Sequence, residues 1–365
     1  VAQVTGGYGA AAGTSGVAAV GSGAGERPSP AATPQRAEAL TIHPIPPGTR
    51  DVLPDEMREL RAIGARLREV FEGAGYGEVW TPALEYEQVL RAGDAGAAGA
   101  GYRTFDEQGR VLALRSDMTI PIARLVATRF REPGAREPLR LYYEGRAWRV
   151  VGDTTGQQRE LLQGGIELVG VHGAEAEAEV IALGVEALAA AGLARHRVGL
   201  GDGALYRTLL SDLEVPGDRH RELLSCLSRR DLPGLAARVT GLDLQPDARE
   251  LLIRLPELRG GPEVLDRAGG PAASAALDGL RALHGALERR GVADRVILDL
   301  GLVRELGYYT GAVYEIYDPA VGFALGGGGR YDELIGRFGE GRPACGLTLD
   351  LQRVHIAQTA EERLR

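Results

Sequence analysis

Five short runs of this sequence hold residue types that could do chemistry. Leu114-Arg115-Ser116-Asp117-Met118-Thr119 ends an apolar stretch in basic, acidic and hydroxyl side chains, suited to holding an ammonium group or a hydroxyl. Tyr143-Glu144-Gly145-Arg146-Ala147-Trp148-Arg149 leads through Arg159 to Gln163-Gly164-Gly165-Ile166-Glu167. On a strand, side chains alternate, so Gln163, Gly165 and Glu167 share one face: an amide and a carboxylate over a glycine floor. One buried glutamate most often belongs to a structural ion pair. Two polar side chains on one strand face, with an arginine nearby, point instead to a binding pocket.

Leu302-Val303-Arg304-Glu305-Leu306-Gly307-Tyr308-Tyr309-Thr310-Gly311 pairs two tyrosines, one ring for packing and one phenol for hydrogen bonding. Gly326-Gly327-Gly328-Gly329-Arg330-Tyr331-Asp332 allows close backbone approach to a ligand, but no Lys-Ser/Thr follows, so it is not a P-loop. Pro46-Pro47-Gly48-Thr49-Arg50-Asp51-Val52-Leu53-Pro54 reads as an entry turn before a helix.

The elements that would position these runs follow from periodicity. Pro54 and Asp55 open a helix with Met57, Leu60, Ile63, Leu67 and Val70 at three- and four-residue steps, closed by Gly73 and Gly75. Strand patterns follow at Glu78–Thr81, Val111–Leu114, Leu139–Tyr143 and Leu161–Val169, then a helix at Ala174–Ala191. Residues 205–292 carry helical spacing broken at Pro216, Pro233 and Pro256. Strand patterns return at Val296–Leu300, Ala312–Tyr317 and Gly322–Leu325, and an apolar stretch runs from Gly346 to Ile356. Strands before and after a mostly helical segment predict an α+β fold, with a core of 42–204 and 293–365 and a helical insertion at 205–292. Residues 1–41, rich in Gly, Ala, Ser and Pro, are expected to form a disordered tail rather than a signal peptide.

Composition narrows the function. With 44% hydrophobic and 25% charged residues the chain can bury a core, and no apolar run reaches the roughly 20 residues that span a bilayer. A net charge of −8, with arginine as the sole fixed cation type, gives no global field favouring nucleic acid. The two cysteines and six scattered histidines have no metal-ligand spacing, so neither a metal nor a cofactor is expected, and a reducing, cytoplasmic setting fits.

Taken in order, the five runs resemble class II histidyl-tRNA synthetases over residues 42–356, through LRSDMT, RELGYY and GGGGRYD. The resemblance implies an antiparallel sheet flanked by helices and a dimer formed through the segment around Pro82. It also implies a histidine pocket of Asp117, Thr119, Arg149, Gln163, Glu167, Arg304, Tyr308 and Tyr309. Carboxylates would take the α-ammonium, an arginine the carboxylate, and Glu167 and Tyr309 the imidazole.

The nucleotide clamp departs from that family. Where its motif 2 has glutamate, Trp148-Arg149-Val150 continues into Val151, and no basic residue precedes Arg159 in the loop that follows. Where its motif 3 has a glycine under the nucleotide, Asp350-Leu351-Gln352-Arg353 places a carboxylate. About a dozen residues follow Arg353, so no anticodon-binding domain is expected. These departures resemble the regulatory subunits of ATP phosphoribosyltransferase, with a Leu-Asp-Leu-x-Arg motif 3. That resemblance implies a non-catalytic partner of the short-form catalytic subunit in a hetero-oligomer (a hetero-octamer in the family). It further implies histidine as an effector, no tRNA and no membrane. The alternative is a histidyl-tRNA synthetase or another adenylating paralogue.

Overall fold

The computed structural model describes residues 45–94, 101–130, 138–150, 158–268, 274–302 and 307–364. Helix α1 (Pro54–Gly73) starts with proline in its first turn and buries Leu60, Ile63, Leu67 and Phe71 along one stripe. Strands β1 (Gly77–Glu78) and β2 (Leu84–Tyr86), helix α2 (Glu87–Gly93), strands β3 (Arg103–Phe105) and β4 (Val111–Leu114), and helix α3 (Thr119–Arg129) follow. The long hairpin β5 (Leu139–Trp148) and β6 (Glu160–Val169) leads to α4 (Ala174–Ala190) and β7 (Arg197–Asp202).

Five helices come next: α5 (Leu205–Asp212), α6 (Gly217–Ser228), α7 (Leu232–Thr240), α8 (Pro246–Arg254) and, after β8 (Arg259–Gly260), α9 (Glu263–Arg267). Helix α10 (Ser274–Arg289) then leads to strands β9 (Val296–Asp299), β10 (Ala312–Tyr317), β11 (Ala324–Arg330) and β12 (Ala344–Asp350), and to α11 (Leu351–Arg363).

Nine strands form one mixed sheet in the order β1-β5-β6-β12-β11-β10-β7-β9-β8, antiparallel except for the β1–β5 and β7–β9 pairs. A small sheet, β2-β4-β3, stands beside it. Helices α1, α4 and α11 cover one face, burying Tyr142, Ile166, Leu168, Leu347 and Tyr314. On the other face α3 and the two tyrosines Tyr308 and Tyr309 cover Leu141, Tyr143 and Val313. Alternation along each strand therefore separates an apolar, helix-packed face from one left partly open for chemistry.

Three local expectations change. Glu78–Thr81 continues past β1 without pairing as a strand, although Val79 still donates to the Tyr142 carbonyl. The strand read at Gly322–Leu325 instead spans Ala324–Arg330, with the glycine run inside it. Thr119–Arg129 and Arg197–Asp202 form a helix and a central strand that periodicity had not assigned. The 205–292 segment is mostly helical, and it joins the same core: α10 packs on α4, and β8 pairs with β9 at the sheet edge.

Candidate functional site

The open face of the sheet is built in register. Gln163, Gly165 and Glu167 on β6 lie opposite Asp350, Thr348 and Gly346 on β12, and Thr348 lies opposite Gly327 on β11. Gly327 in turn pairs with Glu315 on β10. A cavity of about 210 Å³ sits over these positions, closed at its sides by Asp117 and Thr119 at the start of α3 and by the tyrosine pair.

Six of the eight expected residues line it: Asp117, Thr119, Arg149, Gln163, Tyr308 and Tyr309. Arg304 and Val151 lie outside the described residues. Glu167 is brought to the site but one layer down, 1% exposed and behind Thr119. Thr119 Oγ1 donates to Glu167 Oε1 at 2.8 Å and the Tyr331 hydroxyl donates to Oε2. Both oxygens meant for an imidazole are thus occupied by the protein, and Glu167 supports the wall that faces the cavity.

Burial is the main reason the Glu167 carboxyl is pushed up to about 8, against the two hydrogen bonds that favour its charge. Burial also raises Asp117, whose Oδ1 accepts from the Ile120 amide at 2.9 Å and so satisfies a free N–H in the first turn of α3. Asp350 does the same for α11, accepting from the Gln352 and Arg353 amides at 3.0 and 3.2 Å, and its carboxyl too is raised by burial. Gln163 is 5% exposed and its Oε1 has no hydrogen-bond partner. A buried acceptor left this way carries a desolvation cost unless a bound group donates to it.

Sequence reasoning missed Glu315 and Thr348 as lining residues, and it read Asp350 and Arg353 only as parts of a nucleotide motif. The signal was present: Glu315 is the single charged residue in an otherwise apolar strand, and Thr348 and Asp350 alternate with Leu347 and Leu349. With these included, the lining bears carboxyl groups from Asp117, Glu315 and Asp350 and guanidinium groups from Arg149 and Arg353. Arg353 is fixed by a 2.8 Å bond to the Ala324 carbonyl and lies 5.5 Å from the Phe323 ring centre. Tyr308 and Tyr309 pack with ring centres 4.9 Å apart, and Tyr331 meets Tyr308 edge-on at 6.0 Å. Charges of both signs beside a buried amide and aromatic walls suit a small zwitterion with a polar ring. No group of metal-ligating side chains occurs among the described residues.

Known proteins agree with this architecture. The family described as histidyl-tRNA synthetase matches residues 48–354. An ATP phosphoribosyltransferase regulatory subunit of Moorella thermoacetica is 42% identical over 320 residues, covering 86% of this chain and 82% of that protein. The crystal structure of an ATP phosphoribosyltransferase regulatory subunit/histidyl-tRNA synthetase from Bacillus halodurans superposes with a TM-score of 0.80 at 33% identity, covering 87% of this chain and 83% of that one. A histidine–tRNA ligase subunit from Alicyclobacillus acidocaldarius gives 0.76 at 32%, covering 88% and 98%. The chain belongs to the ATP phosphoribosyltransferase regulatory subunits, a branch of the histidyl-tRNA synthetase family.

Proposed function

We infer that, in this ATP phosphoribosyltransferase regulatory subunit, the cavity binds free histidine and reports it to a catalytic partner. The observation that carries this reading is the unpartnered Gln163 Oε1, buried in a lining that has charges of both signs. An α-ammonium meets the carboxyl groups of Asp117, Glu315 and Asp350, and a carboxylate meets Arg149 or Arg353. The imidazole N–H is the donor that Gln163 lacks. Histidine binding then couples to the first step of histidine biosynthesis, performed by the short-form catalytic subunit that this non-catalytic chain activates in a cytoplasmic hetero-octamer.

Calorimetric titration of histidine into the purified chain and into the assembled complex tests this. Saturable binding that Gln163→Leu weakens supports it; no heat in either sample makes the chain a scaffold with an idle pocket.

A second reading, an adenylating synthetase, is favoured by Arg149 and Arg353, the two arginines of the nucleotide motifs, which both line the cavity. Against it, Asp350 is fixed as the cap of α11 with its carboxyl group in that lining. Histidine-dependent ATP–pyrophosphate exchange by the purified chain would establish the synthetase reading.

The same family logic extends to self-association. Trp80, beside Pro82, is 84% exposed, and Phe105 is 68% exposed. We take these exposed apolar side chains as part of the dimer contact.

A further inference from the structure

On the opposite, helix-covered side of the sheet lies a second cavity of about 260 Å³, between the 48–52 segment, α1 and the start of α11. It absorbs the Pro46–Pro54 run that the amino-acid pocket leaves unexplained. Gln352 is 9% exposed and its Oε1 has no hydrogen-bond partner; the buried Oε1 of Gln158 has none either, and both residues line this one cavity. Val52, Leu60 and Leu162 give it an apolar wall. Arg50 and Arg146 also line it, paired with Glu56 and Glu160 but with guanidinium N–H groups to spare.

A carboxamide offers a donor and an acceptor side by side, the complement of the amino and ring-nitrogen edge of a purine. The apolar wall suits a flat ring face, and guanidinium groups suit a phosphate. We propose that this cavity binds a purine nucleotide, at a site separate from the amino-acid pocket. The two cavities share one partition. Asp350 lines the first and Gln352 the second, and Asp350 Oδ1 accepts from the Gln352 amide at 3.0 Å. Nucleotide binding that moves Gln352 therefore bears directly on a carboxyl group of the other pocket, which is the physical link that coupling between sites requires.

The test is calorimetry on the full chain with AMP, adenosine and inorganic phosphate as probes, each with and without histidine. AMP is expected to bind once per chain, more tightly than adenosine or phosphate. Gln352→Leu should weaken it at least tenfold, and Gln158→Leu, on a less buried residue, provides the same comparison should the first variant not fold. Arg149→Ala, in the other cavity, should leave AMP affinity unchanged. Absence of AMP and adenosine binding to the unaltered chain overturns the proposal. So does phosphate binding as tightly as AMP, or AMP binding lost in Arg149→Ala but kept in Gln158→Leu. Histidine titrated into the same samples reads the amino-acid pocket independently, so either site can fail alone.

Discussion

Thr119, which lines the cavity, is held through its hydroxyl by a 2.8 Å hydrogen bond to Glu167, which does not line it. A carboxyl group buried to 1% exposure thus sets the orientation of a lining side chain, and its own proton becomes part of the fold. Its folded-state value of about 8 lies above the ordinary 4.5. Unfolding below 4.5 leaves it protonated in both states. Between 4.5 and 8 the unfolded chain gives up a proton that the folded chain keeps, so stability falls as pH rises through that window. One proton corresponds to about 1.4 kcal/mol per pH unit. Urea unfolding of Glu167→Gln, neutral at all pH, should show a flatter dependence between pH 5 and 8 than the unaltered chain. An unchanged slope would mean that Glu167 is charged in the fold.

Gln163 separates ligand binding from folding. Leucine has similar bulk and no acceptor to leave unsatisfied, so Gln163→Leu should melt at or slightly above the temperature of the unaltered chain. Histidine affinity should fall by about 10- to 100-fold, the cost of about 1–3 kcal/mol for a donor left without its acceptor. Thermal denaturation and calorimetry on one preparation check both halves. A variant that binds histidine normally would move the imidazole away from Gln163.

What the sequence made legible was direction, and what it hid was depth. Strand alternation put Gln163, Gly165 and Glu167 on one face, and the register bears this out. Which of them meets a ligand depends on α3 laying Thr119 over Glu167, a contact between residues 48 positions apart that no local pattern encodes. The glycine run misled for a related reason. Glycine weakens a strand considered alone. In β11, however, a Cβ at Gly328 would stand 1.9 Å from the Gly346 carbonyl oxygen, and one at Gly329 2.5 Å from that of Ala312. Packing with neighbours, absent from local propensity, makes glycine the residue that permits this strand.

Gly346 supplies the sharpest steric case. It pairs across the strands with Glu167, and a Cβ built on it would lie 1.5 Å from Glu167 Oε2. Gly346→Ala must push aside a carboxyl group that Thr119 and Tyr331 hold in place, with the Ile166 carbonyl oxygen also 2.8 Å from the added methyl. The expected loss is about 1–3 kcal/mol of stability, as for an added methyl in a packed core. Histidine affinity should drop as well, because Thr119 moves with Glu167. Urea unfolding and calorimetry measure the two, and a variant as stable as the parent would show that Glu167 has a second, equally good position.

Trp80 tests the proposed dimer contact. An indole 84% exposed gains about 25 cal/mol for each Å² of apolar area removed from water, and loses that gain on changing to a charged residue. Trp80→Asp should leave the melting temperature of the monomer unchanged, since the side chain packs on little of its own chain. Sedimentation velocity should show a shift from dimer to monomer. A variant that sediments as the parent does would place the contact elsewhere.

Asp350 combines two roles that a pair of substitutions can part. It caps α11 through the Gln352 and Arg353 amides, and it contributes a carboxyl group to the cavity. Asparagine caps a helix about as well as aspartate, while alanine forfeits about 1 kcal/mol. Asp350→Asn should therefore keep the helix cap, lose the 3.5 Å ion pair of its Oδ2 with Arg353 Nε, and bind histidine more weakly through that loss of charge. Asp350→Ala should lose both stability and affinity. Should Asp350→Asn bind histidine as tightly as the parent while Asp350→Ala does not, the residue acts on the pocket only by fixing the first turn of α11. The ammonium must then be held by Asp117 and Glu315.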